Sequence, residues 1–577
     1  MADAKSSSAQ AHGHSHHGPP PRARLFALLK TEQSDVTLIV FFSVLTGLLY
    51  LATPLAVDSV VQNIAFGGQQ QVYVQTLLIF SFALLMFLAL SSLISAAQHF
   101  IAELIQQRIF VRLAADMAYR LPRIRREALE TANTPELINR FLDVTTVQKS
   151  CASILLDAVN VVLSAVIGLL VLAFYHPFLL AFNFLLVSLL ALIVFLLGRR
   201  GVDTSIDESY AKHALAGWFE QIVMFPTMFK GPGGPAYSLH RADALVNHYL
   251  STRKAHYSVL IRQVVALLLL EALAAASLLA VGGALVLSGQ LTLGQLVASE
   301  LIVGTVVYSM VSLGKHLEIW YDAMAAVDKL GKLVELPVER PDGEPAKPSP
   351  KPFDLDFRSV TFRYEDATRP LFQDIDFTAT PGERVAVTGP IGAGAGTLLE
   401  MAYGLRDAND GVIVVAGMDI RHWKLVEFRS HAVLMNEVAI FSGTILENVR
   451  LHRQEITLDE VCTALERVGL LARFLEMPEG LNTQLLAGGR PLSDSQKVKL
   501  CLARAIVGQP KLLMIDKVLD GLDPERSSRV YETLFGPGRD WTLLLATRDR
   551  NLLERCDRIF RLPDPPGVPL DAEGVKG

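Results

Sequence analysis

Cysteine is scarce in this chain: four among 577 residues. Cys151, Cys462, Cys501 and Cys556 are scattered, and none sits in a CxxC spacing. That excludes a disulfide-stapled fold and a cysteine zinc centre, and it suits a reducing compartment. Strong charge of one sign is missing too. The formal net charge of −5 gives no case for a nucleic-acid partner. There is no pattern of a cleavable signal peptide, because the first apolar run begins near Val36, after a long polar leader. No peptidase-like segment precedes that run. What the chain has in quantity is apolar sequence: 51% of residues are hydrophobic and the mean hydropathy is +0.35. Such a balance points to a first half embedded in a membrane.

Residues 1–30 form a Ser-, Pro- and His-rich leader expected to be disordered. His12, His14, His16 and His17 cluster there as metal-ligand types, although a disordered tail fixes no coordination geometry. Six apolar runs of spanning length follow, near Val36–Val57, Val72–Leu93, Leu155–Tyr175, Phe178–Leu197, Val259–Leu287 and Leu293–Leu313. The short loops Asp58–Gln71, His176–Pro177 and Ser288–Gly294 hold no Lys or Arg. The two long loops carry the basic residues, Arg108 to Lys149 and Arg199 to Lys254. The positive-inside rule therefore puts both long loops and both termini in the cytoplasm. Helical patterning in these loops predicts that spans two to five continue as helices beyond the bilayer. At their tips, Pro135–Asp143 and Trp218–Phe225 are amphipathic pieces that fit either a partner surface or a cap on the bundle. Glu271 and Glu300 fall inside the last two spans. A carboxylate there is costly, so each is a candidate for a substrate path, or else faces a water-filled cavity.

Residues 336–352 are rich in Pro, Lys, Glu and Asp and read as a linker between a membrane domain at 31–335 and a soluble domain at 353–577. The soluble part alternates apolar runs, glycine turns and helical segments, as an α/β domain does. Its organising stretch is Gly389-Pro-Ile-Gly392-Ala-Gly394-Ala395-Gly396-Thr397. It follows the strand-like Arg384–Thr388 and precedes the helix-like Leu398–Ala402, the context of a phosphate-binding loop. The pattern G-x-x-x-x-G-K-[ST] lies over Gly389, Gly394, Ala395 and Gly396. The glycines are present. The lysine and the magnesium-binding hydroxyl are not.

Further landmarks follow: Phe441–Val449, then Leu492-Ser493-Asp494-Ser495-Gln496 ahead of a helix, then the apolar strand Lys511–Asp516 ending in a carboxylate. Together with the spans, the chain resembles an ATP-binding cassette (ABC) exporter half-transporter over nearly its whole length after the leader. Gly289–Val297, Arg140–Val144 and Gly488–Ser493 look most like the type I secretion and peptide-exporting branch. The resemblance implies an α-helical six-span bundle followed by an α/β P-loop NTPase-like domain, lodged in a bacterial inner membrane with the nucleotide-binding domain cytoplasmic. It implies dimerisation with a second half-transporter, so that each nucleotide lies between one phosphate loop and the other chain's signature, and it implies accessory export proteins. The cofactor it implies is ATP with Mg²⁺.

Carried over residue by residue, the family pattern is eroded in one direction. Tyr364 stands at the adenine-stacking aromatic, and Asp516 at the strand-end aspartate. Ala395 replaces the lysine, Gly396 the hydroxyl, and Asn436 the metal-watching glutamine. Asp494 and Ser495 replace two signature glycines, while Leu492, Ser493 and Gln496 are kept. Lys517 stands at the catalytic glutamate and Arg548 at the switch histidine. An alanine cannot neutralise phosphate charge, and a lysine is no general base toward water at neutral pH unless strongly desolvated. The expectation is therefore a pseudo-ATPase whose own site holds ATP and Mg²⁺ poorly or not at all. Lys517 either pairs with Asp516 in place of the metal or, with Arg548, holds a phosphate. Three functions fit: one half of a dimeric export system for a protein, peptide or other substrate; a non-transporting homodimeric scaffold or regulator; or an active exporter with substituted chemistry.

Overall fold

The computed structural model describes residues 19–65, 70–131, 139–175, 177–345, 351–523, 525, 527–538 and 540–564. The histidine cluster at 12–17 and residues 135–138 of the first loop-tip piece lie outside them. The chain divides into two compact units that part between Pro337 and Val338.

The first unit is helical: α1 (Pro21–Lys30), α2 (Gln33–Tyr50), α3 (Ala52–Ala65), α4 (Gln70–Arg120), α5 (Asp143–Ser153), α6 (Val159–Tyr175), α7 (Pro177–Leu192), α8 (Gly201–Met224), α9 (Gly234–Leu287) and α10 (Leu293–Val334). Among the described residues, Gln33–Gln62, Leu77–Arg123, Asn139–Leu172 and Gly234–Leu287 are each long and apolar enough to cross a membrane. Phe184–Leu197 and Gly201–Met224, bent by 42° from one another, are long and apolar enough only when taken together. The last expected span opens α10, where Leu293–Thr305 is the described apolar stretch. Thr292 and Gln295 start that helix with a reciprocal capping box, at 3.1 and 3.0 Å. Helices α4 and α9 run to 51 and 54 residues. At ~1.5 Å per residue they reach about 75–80 Å, far beyond a ~30 Å hydrocarbon layer, so a large part of each stands in water.

One part of the leader departs from the expected disorder. Pro21–Lys30 is a helix, because Leu25 finds a buried seat in the helical core and Arg24 pairs with Glu335 at 2.6 Å. The tip residue Trp218 donates to Ser238 O at 3.2 Å and sets its ring edge-on to Phe229, so it packs within its own hairpin. Deep in the unit, Lys329 of α10 is 1% exposed. Its Nζ lies 2.5 Å from Asp143 Oδ2, and His213 Nε2 lies 3.3 Å from the same oxygen.

The second unit begins by binding part of the expected linker to itself. Glu339 accepts two hydrogen bonds from Arg429, at 2.6 and 2.9 Å, and Glu344 bridges to Trp423. Its strands are β1 (Leu355–Phe362), β2 (Phe372–Ala379), β3 (Arg384–Thr388), β4 (Asp410–Val415), β5 (Met418–Asp419), β6 (Ala432–Met435), β7 (Gly443–Thr444), β8 (Gln484–Leu485), β9 (Leu512–Asp516), β10 (Thr542–Ala546) and β11 (Arg558–Arg561). An antiparallel sheet runs β2-β1-β4-β5, and a parallel sheet runs β11-β3-β10-β9-β6. The central parallel strands are apolar over Val385–Val387, Leu512–Ile515 and Leu543–Ala546 because both faces are covered. Leu513, Ile515, Leu543 and Leu545 enter one core, and Leu512, Met514, Leu544 and Ala546 enter the other.

Candidate functional site

Parallel strands deliver their carboxyl ends to one edge, and loops leaving that edge can share a site. The register fixes which residues meet there. Val387 of β3 lies beside Ala546 of β10, Ala546 beside Asp516 of β9, and Met435 of β6 beside Ile515. The glycine loop after β3, Arg548 after β10, Lys517 after β9 and Asn436 after β6 are thus brought to one edge. Leu492–Gln496 starts α12 (Asp494–Ile506) instead, on a segment of its own.

The loop has the backbone of a phosphate cradle. Gly392 and Gly394 have φ of 87° and 89°, left-handed values that side chains resist, and Gly394 precedes α11 (Ala395–Ala402). A Cβ added at Gly396 would collide with Asp516 Oδ2, so the carboxylate stands where a serine or threonine at 396 would reach. The next hydroxyl, on Thr397, is 2.8 Å from the Tyr364 hydroxyl. Tyr364 itself meets Phe362 edge-on and carries the Arg406 guanidinium over its ring at 5.0 Å. Arg406 in turn pairs with Glu400 of α11 at 2.5 Å.

Asp516 Oδ1 is buried without a hydrogen-bond partner. The nearest cation, Lys517 Nζ, is 3.9 Å away on a side chain that is 61% exposed. The pairing anticipated for these two residues is therefore present but loose. Lys517 adopts φ 57°, and its N–H donates to Ala546 O at 2.9 Å. Burial pushes the Asp516 carboxyl above its ordinary range. Lys517 opposes this, while Glu400 and Asp520 add to it. Asp520 is raised as well, chiefly by burial, although Thr547 Oγ1 donates to it at 2.5 Å. The site thus gathers three carboxylates, of Glu400, Asp516 and Asp520, around two exposed cations, Lys517 and Arg548. Glu400 and Arg406 escaped the sequence reading. The available signal was an acidic residue in an otherwise apolar helix, Leu398–Ala402.

In the signature stretch, Leu492 is buried in the core, while Ser493, Asp494 and Ser495 are exposed. Ser493 Oγ accepts from Gln496 N at 3.4 Å and Gln496 Oε1 accepts from Ser493 N at 2.8 Å, a capping box. The two retained polar residues therefore have a local task that needs no nucleotide. The Asp494 side chain is 97% exposed, paired only along the helix with Lys497 at 3.0 Å. Of the two acids in the spans, Glu271 is half-buried and Glu300 is exposed.

Residues 36–310 match the ABC transporter transmembrane region, and residues 372–519 match the ABC transporter domain. The chain belongs to the ABC transporters, as an integral membrane protein with the domain order of an exporter half-transporter. An ATP-dependent lipid A-core flippase of Burkholderia orbicola is 33% identical over 240 residues, 41% of this chain and 40% of that one. A multidrug efflux ATP-binding/permease protein of Mycobacterium tuberculosis is 30% identical over 292 residues, 50% of this chain and 24% of its own length. A lipid A-core flippase of Xanthomonas oryzae is 27% identical over 415 residues, 70% of this chain and 69% of that one. The chain spans well under two thirds of the length of most of these curated relatives. A solved bacterial Atm1-family ABC exporter with ATP bound superposes with a TM-score of 0.79 at 20% identity, covering 93% of this chain and 94% of that one.

Proposed function

We propose that this chain is an exporter-like membrane subunit whose own nucleotide site does not hydrolyse ATP. The observation that carries this is the Asp516 carboxylate packed against Gly396. The loop lacks its lysine and its hydroxyl, and beside Gly396 stands a carboxylate whose Oδ1 has no hydrogen-bond partner and whose ion pair with Lys517 is a loose 3.9 Å. The residues present do not fit Mg²⁺–ATP. Asp516 alone offers the metal a strand-end oxygen, Thr397 is engaged by Tyr364, and Lys517 stands where a base would have to be. The type I secretion-like stretches make a protein or peptide the favoured cargo, with the chain working as half of a dimer in a bacterial inner membrane, its soluble unit cytoplasmic. Lipid or small-molecule cargo is the alternative that the flippase and efflux relatives supply. The second half is either a chain with an intact loop or another copy of this one. Because Ser493 and Gln496 are kept for capping, their survival gives no weight to a catalytic partner, and a homodimeric scaffold or regulator is the second reading.

Steady-state phosphate release by the purified full chain in lipid nanodiscs tests the proposal. We expect background rates, unchanged in Asp516→Asn. Exporter-like turnover that disappears in Asp516→Asn would establish the third reading, an active pump with substituted chemistry.

A further inference from the structure

The soluble unit has a second hollow that the nucleotide pattern does not use. Two helices flank it, Leu458–Arg467 and Ser528–Phe535. Its volume is about 350 Å³, at the small end of the ~300–1,000 Å³ of ligand pockets. Trp541 lines it and stands just before Thr542, the first residue of β10. The hollow therefore lies toward the amino ends of the parallel strands, away from the carboxyl edge that carries Lys517 and Arg548. Each helix contributes one acid and one base: Glu466 and Arg467 from the last turn of the first, Arg529 and Glu532 from the second. All four are exposed, and among the described residues none of their side chains enters an ion pair. Arg529 gives one N–H to Glu466 O at 3.3 Å and lays its stem beside Gly469, which keeps it at the rim. The two threonine hydroxyls are committed: Thr533 Oγ1 donates to Arg467 O and Thr463 Oγ1 to Asp459 O, both at 2.8 Å. The indole of Trp541, 4% exposed, is not. Its Nε1 is buried with no acceptor among the described residues, a costly state for a donor.

Four charges of balanced sign round one small hollow, none spent on another, suit a guest that carries both signs. A purely anionic guest such as phosphate would meet the carboxylates of Glu466 and Glu532. A purely cationic one would meet two guanidiniums. We propose that this hollow binds a small zwitterion, a free α-amino acid. Its carboxylate accepts from the Arg467 and Arg529 guanidiniums, with Trp541 Nε1 as the neutral donor beside them. Its ammonium donates to Glu466 and Glu532. Both contacts are charge-assisted, the strong class of hydrogen bond, and each sign of the guest is met by the opposite sign. The site stands apart from the nucleotide edge, so the proposal holds whether or not that edge turns over ATP.

Full chain in lipid nanodiscs, without nucleotide, is titrated by calorimetry with each common L-amino acid in turn. The expected result is saturable binding of at least one. Loss of a hydrogen bond to a charged group should weaken that binding roughly ten- to a hundredfold in Arg467→Gln and in Glu532→Gln. The N-acetyl and carboxamide forms of the same amino acid should be weakened alike, because each lacks one of the two charges. Trp541→Phe keeps the ring, removes only the donor, and should weaken binding as well. An unfolding scan of each variant separates a lost site from a lost fold. Three results would overturn the proposal: no binding by any amino acid to chain with an intact unfolding transition, affinity unchanged in all three variants, or inorganic phosphate bound at the same site as tightly as the amino acid.

Discussion

Asp516 is the residue on which the soluble unit's electrostatics turn. Its carboxyl titrates above its ordinary value because burial, together with Glu400 and Asp520, disfavours the charge more than loosely held Lys517 favours it. The folded state therefore holds that proton to a higher pH than the unfolded chain does. The associated stability is fully present below the unfolded pKa and is lost as pH rises through the folded one. Asp520 works in the same direction. We predict that Asp516→Asn raises the unfolding midpoint of the soluble unit at pH 8 but not at pH 4. The gain should be roughly 1–3 kcal/mol, the usual cost of an unsatisfied buried polar group. Differential scanning calorimetry of the full chain at both pH values checks it, and a midpoint lowered at pH 8 would mean that the carboxylate is stabilised by a group not in this chain. That the glycine loop, Asn436, Lys517 and Arg548 share one edge was legible in the sequence, because they occupy fixed offsets in a spaced motif. That Asp516 fills the space at 396 was not, since it depends on the register of β9 against β10 and β3 and on a side-chain rotamer. Sequence spacing carries neither.

At the level of elements, the hydrophobic pattern gave away most of the architecture. Runs such as Leu512–Ile515 and Leu543–Ala546 are apolar at every step because they are interior strands, and the spanning helices are apolar for twenty residues or so because lipid demands it. Patterning could not reveal the contact that ties α5, α8 and α10 together. Lys329 is one of three lysines in α10, and its partners lie over a hundred residues away at His213 and farther still at Asp143. Nor could it anticipate that α1 docks through Leu25 and Arg24, since an apolar run as short as Leu25–Leu29 does not say which core receives it. Removing one member of a buried ion pair strands the other. Lys329→Ala should therefore destabilise the helical unit by roughly 3–5 kcal/mol, whereas Lys329→Met with Asp143→Leu should recover most of it. Thermal denaturation in detergent, followed by circular dichroism, distinguishes the two. Equal losses in the single and double variants would show that the pair contributes only volume.

For the whole molecule, the domain order of an ABC transporter half is accompanied by a nucleotide site that, in the function proposed above, does not hold Mg²⁺–ATP. A ligand that binds only the folded state stabilises it by RT ln(1 + [L]/Kd), about 2.7 kcal/mol when the ligand is at a hundred times Kd. We predict no shift of the soluble unit's midpoint at millimolar Mg²⁺–ATP, measured on the full chain by calorimetry. A clear upward shift would make the chain a nucleotide sensor, with Lys517 and Arg548 as the anion's ligands.

The contact between Gly396 and the Asp516 carboxylate also bears on history. In a site that had merely lost a hydroxyl, one substitution could return it. Here a serine at 396 is admitted once the flexible end of Asp516 swings aside, but Ala395, Lys517 and Arg548 still stand where the family pattern has its lysine, glutamate and histidine. No single change restores all of these positions, so single substitutions should not return activity in a selection for it.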